Sequence, residues 1–229
     1  MKAMITTMAK AACLVAGLLA VDRAAGNGGP FLIKYPGGDP AAKGVLARLD
    51  AGKANGRLFS LMAGCGFDAE VVRRVHAHRT GHLRQTAYLG AALWAMASYP
   101  FPEIRVHWEE EDGGGEPLSA RWLFAFNLPC YGGGFRLAPE ADGSDGLLDV
   151  CAFRPGHWWH GLRLVAAVLA RRHQRLADWT RRRARRLRLT SDGQVPYQLD
   201  GDPAGLLPLD LEVLPGRLTL VVPRETKDA

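Results

Sequence analysis

The sequence is poor in cysteine, and its uncharged runs are short. Four cysteines, Cys13, Cys65, Cys130 and Cys151, are too few and too widely spaced for a disulfide scaffold or a zinc site of paired cysteines. The uncharged run from Ala11 to Val21 falls well short of the roughly 20 apolar residues of a membrane span. These absences predict a protein of a reducing compartment.

The N-terminus nevertheless resembles a signal peptide. Lys2 and Lys10 precede the uncharged run, and the small residues Ala24 and Ala25 follow it. The alternative is a buried helix or strand of the fold. We predict that the run is a remnant element and that the protein is cytoplasmic.

The composition is that of an ordinary globular chain, because 48% of the residues are hydrophobic and 23% are charged. It excludes disorder and collagen-like repeats. A chain of 229 residues can form one large domain or two small ones.

Positive charge is concentrated in one segment. Residues 171–188 contain nine arginines and a single acid, Asp178, whereas the whole chain has a net charge of +6. Such a run is typical of the solvated face of a helix and of the strand after it. An anionic membrane surface, contacted through Arg171 to Arg188, is the alternative. Trp179 is the main aromatic residue among these arginines, so we predict no nucleic-acid binding.

Hydrophobic periodicity predicts a mainly β protein with packed helices. A short strand over Phe59–Met62 leads through a glycine turn at Gly64–Gly66 to a helix from Asp68 to His76. Further helices are predicted over Gln85–Tyr99 and His160–Ala170. Period-two segments predict strands at 104–108, 122–126, 187–190, 195–199, 209–213 and 218–222, with turns at Asp192-Gly193, Asp200-Gly201 and Pro215-Gly216. Together they indicate an antiparallel β-sandwich.

Three motifs occur in a recognisable order: Gly64-Cys65-Gly66-Phe67-Asp68-Ala69-Glu70, then Tyr131-Gly132-Gly133-Gly134 with Asp145-Gly146-Leu147-Leu148-Asp149, and finally Leu199-Asp200-Gly201-Asp202. In this order they resemble the diacylglycerol kinase and sphingosine kinase family of soluble lipid kinases, over residues 45 to 223. The resemblance implies phosphorylation of a lipid hydroxyl, such as that of diacylglycerol or a sphingoid base, with ATP and magnesium, in lipid metabolism and phospholipid biosynthesis.

The resemblance also implies roles for individual residues. Asp202 takes the place of the acid that acts as general base, and is one methylene shorter than the usual glutamate. Glu70 matches an acid that recognises the substrate head group; a solvated helix N-terminus is the alternative. Asp142, Asp145 and Leu147 lie in a turn that holds a structural metal in similar bacterial kinases, the alternative being an ion-free Asx turn. Trp158 and Trp159 could contact lipid, but we expect a buried pair that caps the helix.

The Gly-Gly-Asp-Gly-Thr loop by which this family binds ATP is absent from the sequence; Gly37-Gly38-Asp39 is followed by Pro40 and Ala41. We therefore predict two regions: 1–54, a remnant of the α/β nucleotide-binding domain, and 55–229, the C-terminal β-sandwich domain. The cofactor-binding residues stay unknown. A non-catalytic lipid-binding or interaction module is the alternative function, and a homodimer is one alternative for the oligomeric state.

Overall fold

A computed structural model describes residues 31–33, 45–77, 94–95, 97–109, 117–129, 131, 137–170 and 172–222. Thirteen strands and two longer helices lie in these residues. The helices are α1 (Phe67–Ala77) and α2 (Trp158–Leu169), followed by a 3-10 turn at His173–Arg175. The strands are β1 (Phe31–Ile33), β2 (Val45–Ala54), β3 (Arg57–Phe59), β4 (Met62–Gly66), β5 (Ile104–Trp108), β6 (Leu118–Ala120), β7 (Trp122–Phe126), β8 (Leu148–Phe153), β9 (Trp179–Ala184), β10 (Arg186–Thr190), β11 (Pro196–Leu199), β12 (Asp202–Leu206) and β13 (Leu209–Val222).

The strands form two sheets. One sheet has the order β3-β2-β13-β10-β5-β6, with β1 added in parallel to β13. The other has the order β12-β11-β4-β7-β8-β9, and all of its pairs are antiparallel. The predicted antiparallel β-sandwich with packed helices is thus confirmed. That the N-terminal region derives from a nucleotide-binding domain stays a prediction.

Strand β7 shows how the sandwich is built, because all five of its residues are buried. Leu123 and Ala125 point into the core between the two sheets. Trp122, Phe124 and Phe126 point to the opposite face, into a second apolar cluster with residues of both helices. Side chains alternate along a strand, so the six-stranded sheet has one core on each side.

Both helices cover this outer face of the six-stranded sheet. Phe67, Val71 and Val75 of α1 belong to the second cluster, as does Leu164 of α2. Helix α1 lies against β11 and β12, and α2 lies beside the 3-10 turn that precedes β9. The two helices therefore share one face and lie towards opposite edges of the sheet.

Several local predictions were wrong. Gly64–Gly66 belongs to β4 and is not a turn, because the strand pairs with both β7 and β11. The chain turns only at Gly66, where φ is +90° and a Cβ would lie 2.8 Å from the Arg121 carbonyl oxygen. Pro215-Gly216 is an irregularity inside β13, where the register shifts between Leu214 and Leu218.

Other predictions concern boundaries. Strand β2 (Val45–Ala54) pairs with β13, so the sandwich sheet includes residues that we assigned to the N-terminal region 1–54. The division into two domains itself stays a prediction. Most of the predicted helix over Gln85–Tyr99, the N-terminal run and Cys13 and Cys130 lie outside the described residues. Among the described residues, no helix combines the length and the apolar character that crossing a membrane requires.

Candidate functional site

The turn between β11 and β12 carries the acid predicted to be catalytic. Asp200 and Gly201 form a two-residue loop with φ values of +52° and +91°, closed by the pair Leu199 and Asp202. Two successive positive φ values are those of a type I′ turn, which Asp-Gly favours between antiparallel strands. The sequence motif is therefore a tight hairpin turn.

Asp200 ties this turn to the chain before β4. Its Oδ2 accepts hydrogen bonds from the backbone N and the hydroxyl of Ser60, at 2.7 and 2.9 Å. Its Oδ1 accepts from the backbone N of Leu61 and of Met62, at 2.8 and 3.0 Å. Four donors thus converge on one carboxylate, and Asp200 serves as an anchor and not as a reactive group.

Asp202, at the start of β12, is the free carboxylate of the motif. Its side chain is 68% exposed, and it lies beside His76 in the last turn of α1, with 3.9 Å between Nε2 and Oδ1. The distance exceeds that of a hydrogen bond, so the Asp202 oxygens remain accessible to a ligand.

A buried polar chain lies under the turn. Gln198 accepts a hydrogen bond from the backbone N of Gly201 at 2.7 Å through its Oε1. Its Nε2 donates to Oδ2 of Asp68 at 2.8 Å, and the Tyr131 hydroxyl donates to the other oxygen of Asp68. Asp68 and Gln198 are almost completely buried. The chain of hydrogen bonds therefore connects α1, β11 and the Asp200-Gly201 turn.

The Asp68 carboxylate lies in a crowded apolar setting. Burial raises the pKa of Asp68, and the hydrogen bonds from Tyr131 and Gln198 lower it only in part. A Cβ at Gly64 would lie 2.5 Å from Oδ2 of Asp68 and 2.7 Å from Nε2 of Gln198. Gly64 therefore leaves the space in which these two side chains meet.

Glu70 lies two residues further along α1 and is also buried. It binds the Nε atoms of Arg73 at 2.7 Å and of Arg74 at 2.5 Å. Burial alone would raise the pKa of Glu70, but the two arginines outweigh it and lower that pKa. Arg74 continues to the Ser98 hydroxyl at 2.8 Å, so Glu70 faces the segment around residue 98.

The turn over Asp142–Leu147 is a separate location, held by Asp50 of β2. Asp50 accepts hydrogen bonds at 2.7 Å from the backbone N of Gly146 and of Gly216. Oδ1 of Asp142 accepts from the Ser144 hydroxyl at 2.7 Å, and Oδ1 of Asp145 accepts from the backbone N of Leu147 at 3.0 Å. The side chains thus make Asx-type turns.

The donor set of this turn suits a hard cation. Oxygen atoms are the ligands that magnesium prefers, and Asp142 and Asp145 contribute carboxylates from one turn. Burial raises the pKa of Asp145, and the neighbouring carboxylates of Asp142 and Asp149 raise it further, as expected where a positive charge would be favourable. Arg183 supplies part of that charge, 3.5 Å from Oδ2 of Asp145. Among the described residues, no three His, Cys, Asp or Glu side chains form a metal-binding group, so backbone oxygens would have to complete a site.

The structure thus brings Asp202 close to α1 and places Asp142, Asp145 and Leu147 in another turn. Asp68 lies in one of the three motifs, but the sequence analysis assigned no role to it, to Gln198 or to His76. The sequence could have indicated Asp68 as an acid that comes two residues after a strand of small residues. Nothing in the local sequence identifies His76, because its position beside Asp202 depends on how α1 packs against β12.

Comparison with known proteins agrees with this fold. Residues 62–222 match the family model described as the YegS C-terminal NAD kinase beta sandwich-like domain. The chain is 30% identical over 182 residues to a diacylglycerol kinase of Mycobacterium tuberculosis (strain ATCC 25618 / H37Rv), covering 78% of this chain and 57% of the relative. It is 26% identical over 188 residues to a diacylglycerol kinase of Bacillus subtilis (strain 168), covering 82% and 61%.

A solved structure from Bacillus anthracis str. Sterne, assigned as a diacylglycerol kinase, superposes with a TM-score of 0.57. The identity is 17%, and the match covers 78% of this chain and 57% of that one, so this likeness concerns the fold. The chain spans less than two thirds of the length of each of these relatives.

Proposed function

The chain belongs to the YegS-like diacylglycerol kinase family of lipid kinases, as its motifs predicted, and we propose that it forms the lipid-binding half of such an enzyme. The proposed reaction is ATP-dependent phosphorylation of a lipid hydroxyl, such as that of diacylglycerol or a sphingoid base. The observation that carries the proposal is the exposed Asp202 on a turn whose other acid, Asp200, is fully engaged in anchoring.

Asp202 is the proposed general base. As the lipid hydroxyl oxygen bonds to the γ-phosphorus, its proton passes to an Asp202 oxygen, while the bond between that phosphorus and the β–γ bridging oxygen breaks. When bound, ATP would supply the phosphoryl group, and magnesium would neutralise the charge that develops on it. The cofactor residues are unknown; a nucleotide-binding portion, corresponding to the part of the relatives that this chain does not align with, would hold ATP. A reaction that consumes ATP is consistent with a cytoplasmic location.

The buried groups serve this chemistry by positioning. Asp200 fixes one side of the turn, and Gln198 fixes Gly201 from below with support from Asp68. A base that must meet a hydroxyl within hydrogen-bond distance gains from such rigidity, because phosphoryl transfer depends mainly on alignment.

Glu70 is the proposed substrate-binding residue. Since Arg73 and Arg74 already occupy its carboxylate, a head group would reach it by displacing Arg73, the more exposed of the two. Glu70→Gln would then raise KM and leave kcat largely unchanged, because the contact is made equally before and during the reaction.

We propose a structural magnesium ion at the Asp142–Leu147 turn, held by the carboxylate of Asp145 and by oxygens of Asp142 and Leu147. Magnesium chloride should then raise the melting temperature of the chain. Asp145→Asn should remove that rise, whereas Asp202→Asn should keep it.

The decisive experiment compares this chain alone with the chain joined to the unaligned nucleotide-binding portion of the Mycobacterium tuberculosis relative. With ATP, magnesium and dioleoylglycerol or sphingosine, we expect phosphorylated lipid from the joined protein and none from the chain alone. Asp202→Asn should lower the rate by about 10²- to 10⁴-fold without unfolding the protein. Activity of the chain alone would contradict the proposed division of labour, and a fully active Asp202→Asn variant would contradict the assignment of the base.

The second candidate is a non-catalytic lipid-binding module. The shorter side chain of Asp202, where the family places a glutamate, favours this alternative because it shortens the reach of the base. Lipid binding without any phosphorylation by the joined protein, and without gain of activity in Asp202→Glu, would support it.

A further inference from the structure

Helix α2 differs from an ordinary surface helix in its composition. Its sequence, Trp158–Leu169, contains one charged residue, Arg163, and no acid. Surface helices of globular proteins normally carry charged or polar residues on the face away from the core. An apolar outer face on a helix at the surface of a protein is therefore expected to be covered by a binding partner.

The structure shows which side of α2 lacks cover. Gly161 and Leu164 are buried against the protein. Large apolar side chains elsewhere on the helix are exposed: Trp158 by 49%, Trp159 by 55%, and Leu162 and Val165 by 41% each. We call these four residues the tryptophan face. The buried aromatic pair predicted from the sequence was wrong, because the helix turns Leu164 and not the tryptophans toward the core.

Positive charge adjoins one end of this face. Arg172 lies three residues beyond the end of the helix, its backbone N bonded to the Ala167 carbonyl at 2.7 Å, and Arg175 lies in the 3-10 turn that follows. Both side chains are exposed, and neither pairs with an acid in the part of the chain that the structure describes.

The rest of the predicted basic segment is different. It forms strands β9 and β10, whereas the prediction divided the segment between a helix and the strand after it, and much of its charge is neutralised. Four of its arginines pair with carboxylates: Arg181 with Glu140 and Asp149, Arg183 with Asp145, Arg186 with Glu212 and Arg188 with Asp210. The exposed arginines of the segment that have no carboxylate partner among the described residues are Arg172 and Arg175, next to α2, and Arg185, between β9 and β10.

We propose that the tryptophan face, with Arg172 and Arg175, docks on an anionic lipid bilayer. Tryptophan suits the boundary between lipid tails and water, because its ring is apolar and its N–H is polar. An interfacial helix inserts its apolar side while adjacent basic residues contact anionic head groups. The choice of a bilayer rests on the proposed function, since a lipid kinase must take its substrate from a membrane. Helix α1, beside the proposed base, covers the same face of the sheet.

Sedimentation with vesicles tests the proposal without ATP. The vesicles are made of phosphatidylcholine with ~30 mol% phosphatidylglycerol, which gives a clearly negative surface. We expect the 229-residue chain to bind these vesicles, and to bind vesicles of pure phosphatidylcholine much more weakly. The double variant Trp158→Ser, Trp159→Ser should weaken binding to the anionic vesicles by about tenfold or more. Arg172→Gln with Arg175→Gln should weaken it by about fivefold for each arginine, and should not affect binding to neutral vesicles.

Matched controls address loss of binding for other reasons. Leu206 is 48% exposed on β12 and Trp94 is 63% exposed, so Leu206→Ser and Trp94→Ser control for the removal of an exposed apolar side chain away from the tryptophan face. Both controls should bind as the unchanged chain does, and far-ultraviolet circular dichroism should be the same for all variants. The proposal would be overturned if the Trp158→Ser, Trp159→Ser variant bound anionic vesicles as well as the unchanged chain does. It would also be overturned if the control variants lost as much binding as that double variant.

Light scattering distinguishes a bilayer from a second copy of the chain. A dimer that dissociates when Trp158 and Trp159 are replaced, with no vesicle binding by the unchanged chain, would assign the face to self-association and overturn the proposal. Failure of the proposed function is separable: vesicle binding without phosphorylation by the joined protein would contradict the kinase reaction only. Phosphorylation of a short-chain, soluble diacylglycerol without vesicle binding would contradict the docking surface only.

Discussion

The two acids of the Asp200-Gly201-Asp202 turn are expected to respond in opposite ways to the same substitution. Asp200→Asn keeps the size of the side chain, and asparagine tolerates the φ of +52° at this position. Its amide group, however, replaces one of the two carboxylate oxygens with a donor. Two of the four donors now bound by Asp200 would then face an NH₂ group.

The magnitude follows from these contacts. A hydrogen bond to a charged group contributes about 1.5–3 kcal/mol, and a buried donor without a partner costs about 1–3 kcal/mol. Ser60 can rotate its hydroxyl toward water, so one backbone N–H and the lost charge account for most of the effect. We expect the free energy of unfolding to fall by about 3 kcal/mol, which for a chain of this size lowers the melting temperature by about 6–12 °C.

Urea denaturation followed by circular dichroism measures the change, and Asp202→Asn is the matched control. Asp202 is exposed and receives no such hydrogen bonds, so Asp202→Asn should leave the urea midpoint within error of the unchanged chain. A loss below about 1 kcal/mol in Asp200→Asn, or a similar loss in both variants, would refute the assignment of Asp200 as the anchor.

Three further outcomes are expected. Gly52→Ala should destabilise the protein by about 3 kcal/mol or more in urea denaturation, because its Cβ would lie 1.9 Å from Cζ of Phe59. Adding Phe59→Leu should restore part of this loss, and purely additive effects of the two substitutions would contradict the clash. Because burial raises the pKa of Asp68, protonated Asp68 contributes stability that is complete below about pH 3.9 and is lost as the pH rises through the raised pKa. Asp68→Asn should remove this part of the dependence of unfolding free energy on pH, and an unaltered profile would contradict it. Burial raises the pKa of Cys151 to about 12 and raises that of Cys65 as well. Neither thiol should therefore react with Ellman's reagent at about pH 8 until urea unfolds the chain. Mass spectrometry of labelled peptides identifies the cysteines that react.

Local pattern in the sequence was enough to predict much of the framework. Ile104–Trp108 and Trp122–Phe126 have the bounds expected from their composition and alternation, because the period of a strand is a property of neighbouring residues. The Asp200-Gly201 turn was predictable for a similar reason, since few residues other than glycine, asparagine and aspartate accept a positive φ. The order of three motifs sufficed for the family.

Contacts between distant segments were decided only by the tertiary structure. Asp68 and Gln198 are 130 positions apart, and their hydrogen bond depends on β4 pairing with β11. The same pairing makes Gly64–Gly66 a strand, although glycines locally favour a turn. Helix α2 has apolar residues all round, so periodicity could not tell which side would face the core; the packing of Leu164 exposes the tryptophans. Four arginines of β9 and β10 pair with acids that are distant in the sequence and that only the fold brings alongside them. For that reason the charge of the segment could not be assigned to a surface from the sequence.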